Sequence, residues 1–330
     1  MRSTLLGLTL AMALGPMAAA AHGDGLPVPV DDAGGEGITA QNGVATEGVR
    51  YVALRGNGHS VVARVQRAGG RALGWTFLPG AFTIPAVALD GSPAGLSADG
   101  RTLVLIRPRV SFPQRATRLA VLDARRLRVR HIVTLPGDFS FDAISPNGRN
   151  LYLIQYVAPK DPTRYAVRTY DVARSRLNRG QIVDPRERDE AMRGLPLTRT
   201  TSADGRWAYT LYDGAGEHPF IHALDTRGRT ARCIDLDSLT VRDLGTPRLR
   251  VDRAGSRLVL DDGTRPLALV DTKTFAVSDP EAAPATELTG TGRSEDALAK
   301  RLLGAAGIAF LLAAGCVSLR ARRRRRPVTT

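Results

Sequence analysis

Through the middle of the chain, short apolar runs alternate with polar corners, and the corners repeat. Ser145-Pro146-Asn147-Gly148-Arg149 leads into Asn150-Leu151-Tyr152-Leu153. An Asn-Gly corner feeding an apolar run is how a tight hairpin enters a buried strand. The phrase returns as Ser97-Ala98-Asp99-Gly100-Arg101 before Thr102-Leu103-Val104-Leu105, and as Ser202-Ala203-Asp204-Gly205-Arg206 before Trp207-Ala208-Tyr209-Thr210. A worn copy, Asp252-Arg253-Ala254-Gly255-Ser256, precedes Arg257-Leu258-Val259-Leu260, and the four starts are 48, 57 and 50 residues apart. Its recurrence marks the phrase as scaffold, so a functional site belongs in the loops that differ between copies.

Each unit holds a second landmark, an apolar run closing on Asp. The examples are Leu119-Ala120-Val121-Leu122-Asp123, Val167-Arg168-Thr169-Tyr170-Asp171, Ile221-His222-Ala223-Leu224-Asp225 and Leu267-Ala268-Leu269-Val270-Asp271. A carboxylate there bonds the amides of the following turn. A third landmark joins the first two full units: Leu78-Pro79-Gly80-Ala81-Phe82 and Leu135-Pro136-Gly137-Asp138-Phe139, 57 residues apart. Four antiparallel strands in about 50 residues are the period of a propeller blade. With a degenerate first unit (51–54, then 60–67), the pattern predicts an all-β chain with a β-propeller of about five to seven four-stranded blades over 49–277. Helical repeats do not fit runs so short, β-rich and broken by Gly, Asn and Asp.

The phrase resembles the YVTN-type propeller repeat, in which a Ser-Pro-Asp-Gly-Lys/Arg turn leads into an apolar-aromatic strand and an Ile-Asp-Thr-like turn follows. The stretch from Ser145 to Leu153 followed by Tyr170-Asp171 is the fullest match, and Leu269-Val270-Asp271-Thr272 keeps the second landmark. No strand reads Tyr-Val-Thr-Asn, and the fourth phrase has lost its Asp. The resemblance implies a propeller over about 230 residues. Propellers serve as binding platforms and as enzymes, lactonases among them, so the fold alone names no activity. No catalytic set of such relatives maps onto this chain.

The ends set an expected topology. Residues 1–21, with Arg2, an apolar stretch from Leu5 to Leu14 and Ala19-Ala20-Ala21, read as an export signal. A Gly-, Pro- and Asp-rich leader is expected over 22–48 and a stalk over 278–301. A charge-free run opens at Leu302 and closes at Leu319. At 1.5 Å per residue it spans about 27 Å, the thickness of a bilayer core. Arg320 and the five arginines of 322–326 follow directly, which assigns 320–330 to the cytoplasmic side. The expectation is one C-terminal transmembrane helix over 302–319 and a single-pass protein of the cell membrane with its propeller outside. Leu288-Thr289-Gly290-Thr291-Gly292 resembles the sorting motif Leu-Pro-x-Thr-Gly, so the alternative is sortase linkage to the cell wall.

The net charge of +14 changes little in this picture. Arg2 and the arginines at 320 and 322–326 hold seven of the 46 basic residues, leaving 39 against 32 acids. That placement points to membrane orientation and away from nucleic acid. Of the two cysteines, Cys316 lies in the apolar run and Cys233 in the repeats, so no disulfide between them is expected.

Candidate chemistry is sparse. Glu217-His218-Pro219-Phe220-Ile221-His222 is the one local concentration of metal-type ligands, and Pro219 excludes the helix that would align its histidines. No nucleophile elbow, phosphate loop or calcium loop is present. The sequence therefore predicts no catalytic residue, metal or cofactor. From Asp184 to Gly194, an N-cap Asp, Pro185 and a terminal Gly predict a short charged helix. Ligand-binding residues are expected in the loops between second and third strands, which share one face with the connections between blades: Arg107, Arg109 and Arg115; Tyr156, Lys160 and Arg164; Asp213, Glu217 and His218. Two of the three groups are basic, which suits an anionic or polar ligand. The expected function is an extracellular binding or scaffolding module for a protein or glycan. The alternative is a lactonase-type propeller hydrolase.

Overall fold

A computed structural model describes residues 43–280 apart from 57, 189–191 and 217. Among the described residues nineteen strands follow in chain order and form five antiparallel sheets. Blade one is β1 (Val44–Thr46), β2 (Val49–Gly56), β3 (His59–Gln66) and β4 (Ala72–Pro79). Blade two is β5 (Thr102–Ile106), β6 (Ala116–Asp123) and β7 (Arg128–Pro136). Blade three is β8 (Phe139–Ile144), β9 (Asn150–Tyr156), β10 (Tyr165–Asp171) and β11 (Arg176–Ile182). Blade four is β12 (Pro196–Thr201), β13 (Trp207–Tyr212), β14 (Phe220–Asp225) and β15 (Thr230–Asp235). Blade five is β16 (Arg248–Val251), β17 (Arg257–Asp261), β18 (Pro266–Asp271) and β19 (Val277–Ser278). Within every sheet each strand pairs with the next in sequence, giving an all-β, propeller-like fold.

The repeated landmarks are the turns of these sheets, and they meet. In the third blade the Gly148 amide donates to the Ser145 carbonyl (2.8 Å), while Asn147 Oδ1 accepts from Ser145 Oγ and the Arg149 amide. Ser97 with Asp99 and Ser202 with Asp204 repeat this network. In the worn copy Asp252 stands where the others have Ser, and its carboxylate takes both the amide and the hydroxyl of Ser256. The Asp turns also share a conformation. The fourth residue after each Asp (Leu127, Ser175, Arg229 and Phe275) has φ of 52°, 49°, 56° and 62°. The residue after each Asp donates its amide to the last residue of the phrase: Ala124 to Arg101, Val172 to Arg149, Thr226 to Arg206 and Thr272 to Ser256. Both landmarks therefore lie on one edge of the sheets, the turn edge. The loops that differ between blades lie on the other.

In blades two and three burial drops at the last strand: β5 and β8 are buried at every position, whereas β7 and β11 are largely exposed. Alternation along a strand divides its side chains between two neighbours. Leu103 and Leu105 of β5 pack with Tyr51, Val62 and Leu78 of blade one, while Val104 and Ile106 pack with Phe139, Phe141 and Leu153 of blade three. Tyr152 and Val167 meet Ala208 and Leu224 across blades three and four, and Tyr209, Leu211 and Ile221 meet Leu249, Leu258 and Leu260 across four and five. Each such fully buried side chain contributes about 1.5–3 kcal/mol.

Three departures from the sequence pattern are clear. Blade two has no regular first strand; isolated bridges Thr83↔Ile106 and Leu96↔Leu103 stand in its place. The hairpin between them buries Ile84, Ala86, Val87 and Ala88, and the amides of Leu89 and Asp90 at its tip donate to the Pro196 and Leu197 carbonyls of β12 (2.9 and 3.1 Å). It thus ties blade two to the first strand of blade four. β1 begins at Val44, inside the stretch expected as leader. The described residues of 184–194 form turns in place of the expected helix, because the Asp184 carboxylate is drawn inward to the Cys233 amide (3.0 Å). Two short 3-10 turns, Gly214–Gly216 and Val241–Leu244, are the helical pieces among the described residues, none long and apolar enough to cross a membrane. The expected signal, most of the leader and stalk, the 302–319 span and the basic tail lie outside the described residues.

Candidate functional site

The site grows from the connections between blades. At the third landmark, a buried hydroxyl holds the chain as it leaves one blade for the next. Ser60 Oγ accepts the Phe82 amide (2.7 Å), and Thr117 Oγ1 accepts the Phe139 amide (2.8 Å). The two copies differ at one position, where Asp138 replaces Ala81. That carboxylate receives Arg109 from the β5–β6 loop: Nη2 to Oδ1 is 2.6 Å and Nε to Oδ1 is 3.0 Å, with the side chains 1% and 2% exposed. The guanidinium also donates to Ser140 Oγ (3.0 Å) and lies over the Tyr156 ring at 4.8 Å. The Gln114 amide takes Asp138 Oδ2 (2.9 Å), so the loop is fastened at two points.

From Tyr156 an aromatic band runs into the seam between blades three and four. Ring centroids are 6.4 Å apart for Tyr156–Tyr165, 5.9 Å for Tyr165–Tyr212 and 5.2 Å for the stacked Tyr212–Phe220 pair. His222 meets Tyr212 edge-on at 6.4 Å. Arg199 of β12 pairs with Asp142 of β8, both buried, and its Nη1 donates to the Asp142 carbonyl (2.8 Å). Arg199, Thr210, His222 and Cys233 occupy one row across blade four.

Several buried polar atoms in this seam have no hydrogen-bond partner among the described residues: Arg199 Nε, Thr210 Oγ1 and His222 Nε2. Such atoms in a folded protein are ordinarily met by ordered water or by a bound group. Burial pushes the phenols of Tyr165 and Tyr212 well up, and burial pushes the His222 imidazole down to about 4. At neutral pH these groups are therefore protonated phenols and a neutral imidazole, beside two internally compensated ion pairs. They are equipped to hold a polar group by hydrogen bonds. Among the described residues, no group of three or more His, Cys, Asp or Glu could hold a metal ion.

Of the nine residues named from the sequence, the structure brings Arg109 and Tyr156 together. Arg107 and Arg115 are exposed in the β5–β6 loop, and Lys160 and Arg164 in the β9–β10 loop. Asp213 is half-buried and turned to backbone, its Oδ1 accepting the Leu195 and Ala215 amides (2.7 and 3.0 Å). His218 is exposed, and Glu217 lies outside the described residues. Sequence reasoning missed Asp138, Asp142, Tyr165, Arg199, Tyr212 and His222. One signal was available for the first of these, the Asp that breaks an otherwise repeated Leu-Pro-Gly-x-Phe phrase.

No protein-family model and no curated protein matches the chain. Among solved structures, a functionally unknown protein from Desulfotomaculum acetoxidans is similar with a TM-score of 0.46 and 13% identity, covering 72% of this chain and 68% of that one. TolB from Acinetobacter baumannii is similar with a TM-score of 0.32 and 15% identity over 70% of this chain and 56% of that one. A Bacteroides uniformis protein assigned as a 6-phosphogluconolactonase gives 0.42 and 15%, covering 72% and 68%. The fold assignment rests on the sheets and their order.

Proposed function

We propose that the chain is an exported, single-pass membrane protein that displays a YVTN-like propeller outside the cell as a binding or scaffolding module. The observation that carries this reading is the division of labour between the two edges of the sheets. The turn edge repeats the same hydrogen-bond network from blade to blade. The loop edge is different in every blade, rests on the buried Arg109–Asp138 pair, and leaves Arg107, Arg115, Lys160 and Arg164 in solvent. Loops held by a rigid scaffold are where binding residues concentrate. The run from Leu302 to Leu319 and the arginines after it supply the anchor and its orientation. The ligand is anionic or polar, a protein or a glycan of the cell envelope.

The test is crosslinking on intact cells followed by capture of the full-length chain. A defined partner should be recovered with the native protein and lost when Arg107, Arg115, Lys160 and Arg164 are replaced together by Ala. Recovery of the same partner with the quadruple variant, or of nothing beyond a tag-only control, would overturn the reading.

A further inference from the structure

We propose that the turn edge of blade two is a binding site for phosphate groups, separate from the loop edge and independent of the reading given for it. A depression of about 460 Å³ there is lined by Arg101, Arg125, Arg126, Arg130 and Asp123. Four guanidinium groups thus face one carboxylate. Asp123 is already engaged: it accepts Arg130 Nη2 at 2.9 Å, Arg126 Nη1 at 3.4 Å and the Arg126 amide at 2.9 Å. These bonds, that from Arg130 first, hold its carboxyl down to about 2. Among the described residues neither the Arg101 nor the Arg125 guanidinium is in a hydrogen bond or ion pair; Arg125 acts on the Tyr51 phenol through its charge. Their backbone is nonetheless fixed, because the Arg125 carbonyl accepts Arg64 Nη1 (2.7 Å) and the Arg101 carbonyl accepts the Ala124 amide (2.9 Å).

The repeat supplies an internal control. In blade four the arginine closing the phrase, Arg206, binds its landmark Asp225 through Nε and Nη2 at 3.1 and 2.6 Å and is neutralised within the blade. In blade two Arg126 and Arg130 occupy the equivalent Asp123, so Arg101 is left available. Charge distribution points the same way independently. Residues 43–136, the first two blades, carry 14 basic against 4 acidic residues, whereas residues 137–280 carry 22 against 20. A field of one sign converging on a concave site raises the local concentration of anions. Planar guanidinium groups match a phosphate's oxygens two at a time, which distinguishes phosphate from chloride. β7 also leaves Val129 and Ile132 exposed beside these arginines, a surface a phospholipid headgroup would suit as well as a soluble phosphate ester.

The experiment uses the full-length protein in nanodiscs of phosphatidylcholine, in two arms at fixed ionic strength. The first titrates inorganic phosphate against chloride by calorimetry. The second measures recruitment of the nanodiscs to vesicles of phosphatidylglycerol or of phosphatidylcholine. Arg101→Gln with Arg125→Gln is the site variant; Arg176→Gln with Arg179→Gln, on the exposed strand β11 of blade three, is the control of equal charge. Binding in either arm that falls at least tenfold in the site variant and stays within twofold in the control supports the site. Saturable phosphate binding identifies a soluble ester, and recruitment to phosphatidylglycerol alone identifies a lipid. Equal losses in both variants would reduce the effect to net charge and overturn the proposal, as would no binding in either arm. The site variant replaces unpaired groups, so its unfolding midpoint should match that of the native protein.

Discussion

Replacing Asp138 by Ala, the residue its twin phrase carries at position 81, tests how the loop edge is held. The substitution leaves the Arg109 guanidinium buried without its carboxylate and strips the Gln114 amide of its acceptor. Breaking one half of a buried pair costs about 3–5 kcal/mol, most of it the burden of an uncompensated charge. Arg109→Met should cost a similar amount by leaving the carboxylate stranded. The double variant removes both charges and keeps an apolar side chain over Tyr156, so its cost should fall to about 1–3 kcal/mol. The coupling between the two positions then exceeds about 2 kcal/mol, well above the few tenths seen for independent sites. Urea unfolding of the native, single and double variants, with the slope checked for constancy, gives all four corners. Additive single costs, or an Asp138→Ala cost below about 1 kcal/mol, would refute the claim that this pair fixes the loop.

Three further outcomes follow from the same geometry. Gly148→Ala should cost about 2–4 kcal/mol, because φ is +71° and the added carbon would meet Thr102 Oγ1, whereas Gly255→Ala, with φ +73° and open space, should cost about 1 kcal/mol by thermal unfolding. Thr117→Val removes the buried acceptor of the Phe139 amide and should cost about 1–3 kcal/mol in the same assay, with a smaller loss if water enters. His222 is neutral when folded, with its pKa lowered from 6.5 to about 4, so the unfolded chain binds the extra proton as pH falls. Stability should therefore hold above about pH 6.5 and drop by roughly 3 kcal/mol between there and about pH 4. His222→Phe should flatten that part of the profile, and a slope unchanged in the variant would exclude this imidazole as its source.

The repeated parts of the fold were legible in the sequence because their chemistry is local. A Ser hydroxyl, an Asp or Asn two residues on and a Gly at positive φ close each turn without help from distant residues. Even Asp252, which looked like decay of the phrase, preserves its function by bonding Ser256 in place of the missing Ser. The parts that stayed hidden depend on partners far along the chain. Arg109 and Asp138 are 29 residues apart and come from different blades, and Arg199 and Asp142 are 57 apart. A lone arginine in a loop reads as a ligand contact until the facing carboxylate is known. The first strand of blade two was obscured for a related reason: Ile84 to Ala88 is apolar enough for a strand, but its hydrogen bonds go to its own hairpin and to blade four. Asp184 misled because an N-cap and an inward-facing acceptor look alike in sequence.

Labelling with a membrane-impermeant maleimide decides whether the propeller is held outside the membrane by a C-terminal span. Full-length chains lacking Cys233 and Cys316 would carry one cysteine each, His218→Cys on the exposed loop edge or Arg326→Cys in the basic tail. His218→Cys should be labelled in intact cells, and Arg326→Cys only after lysis. Labelling of Arg326→Cys in intact cells, or of His218→Cys only after lysis, would contradict that topology.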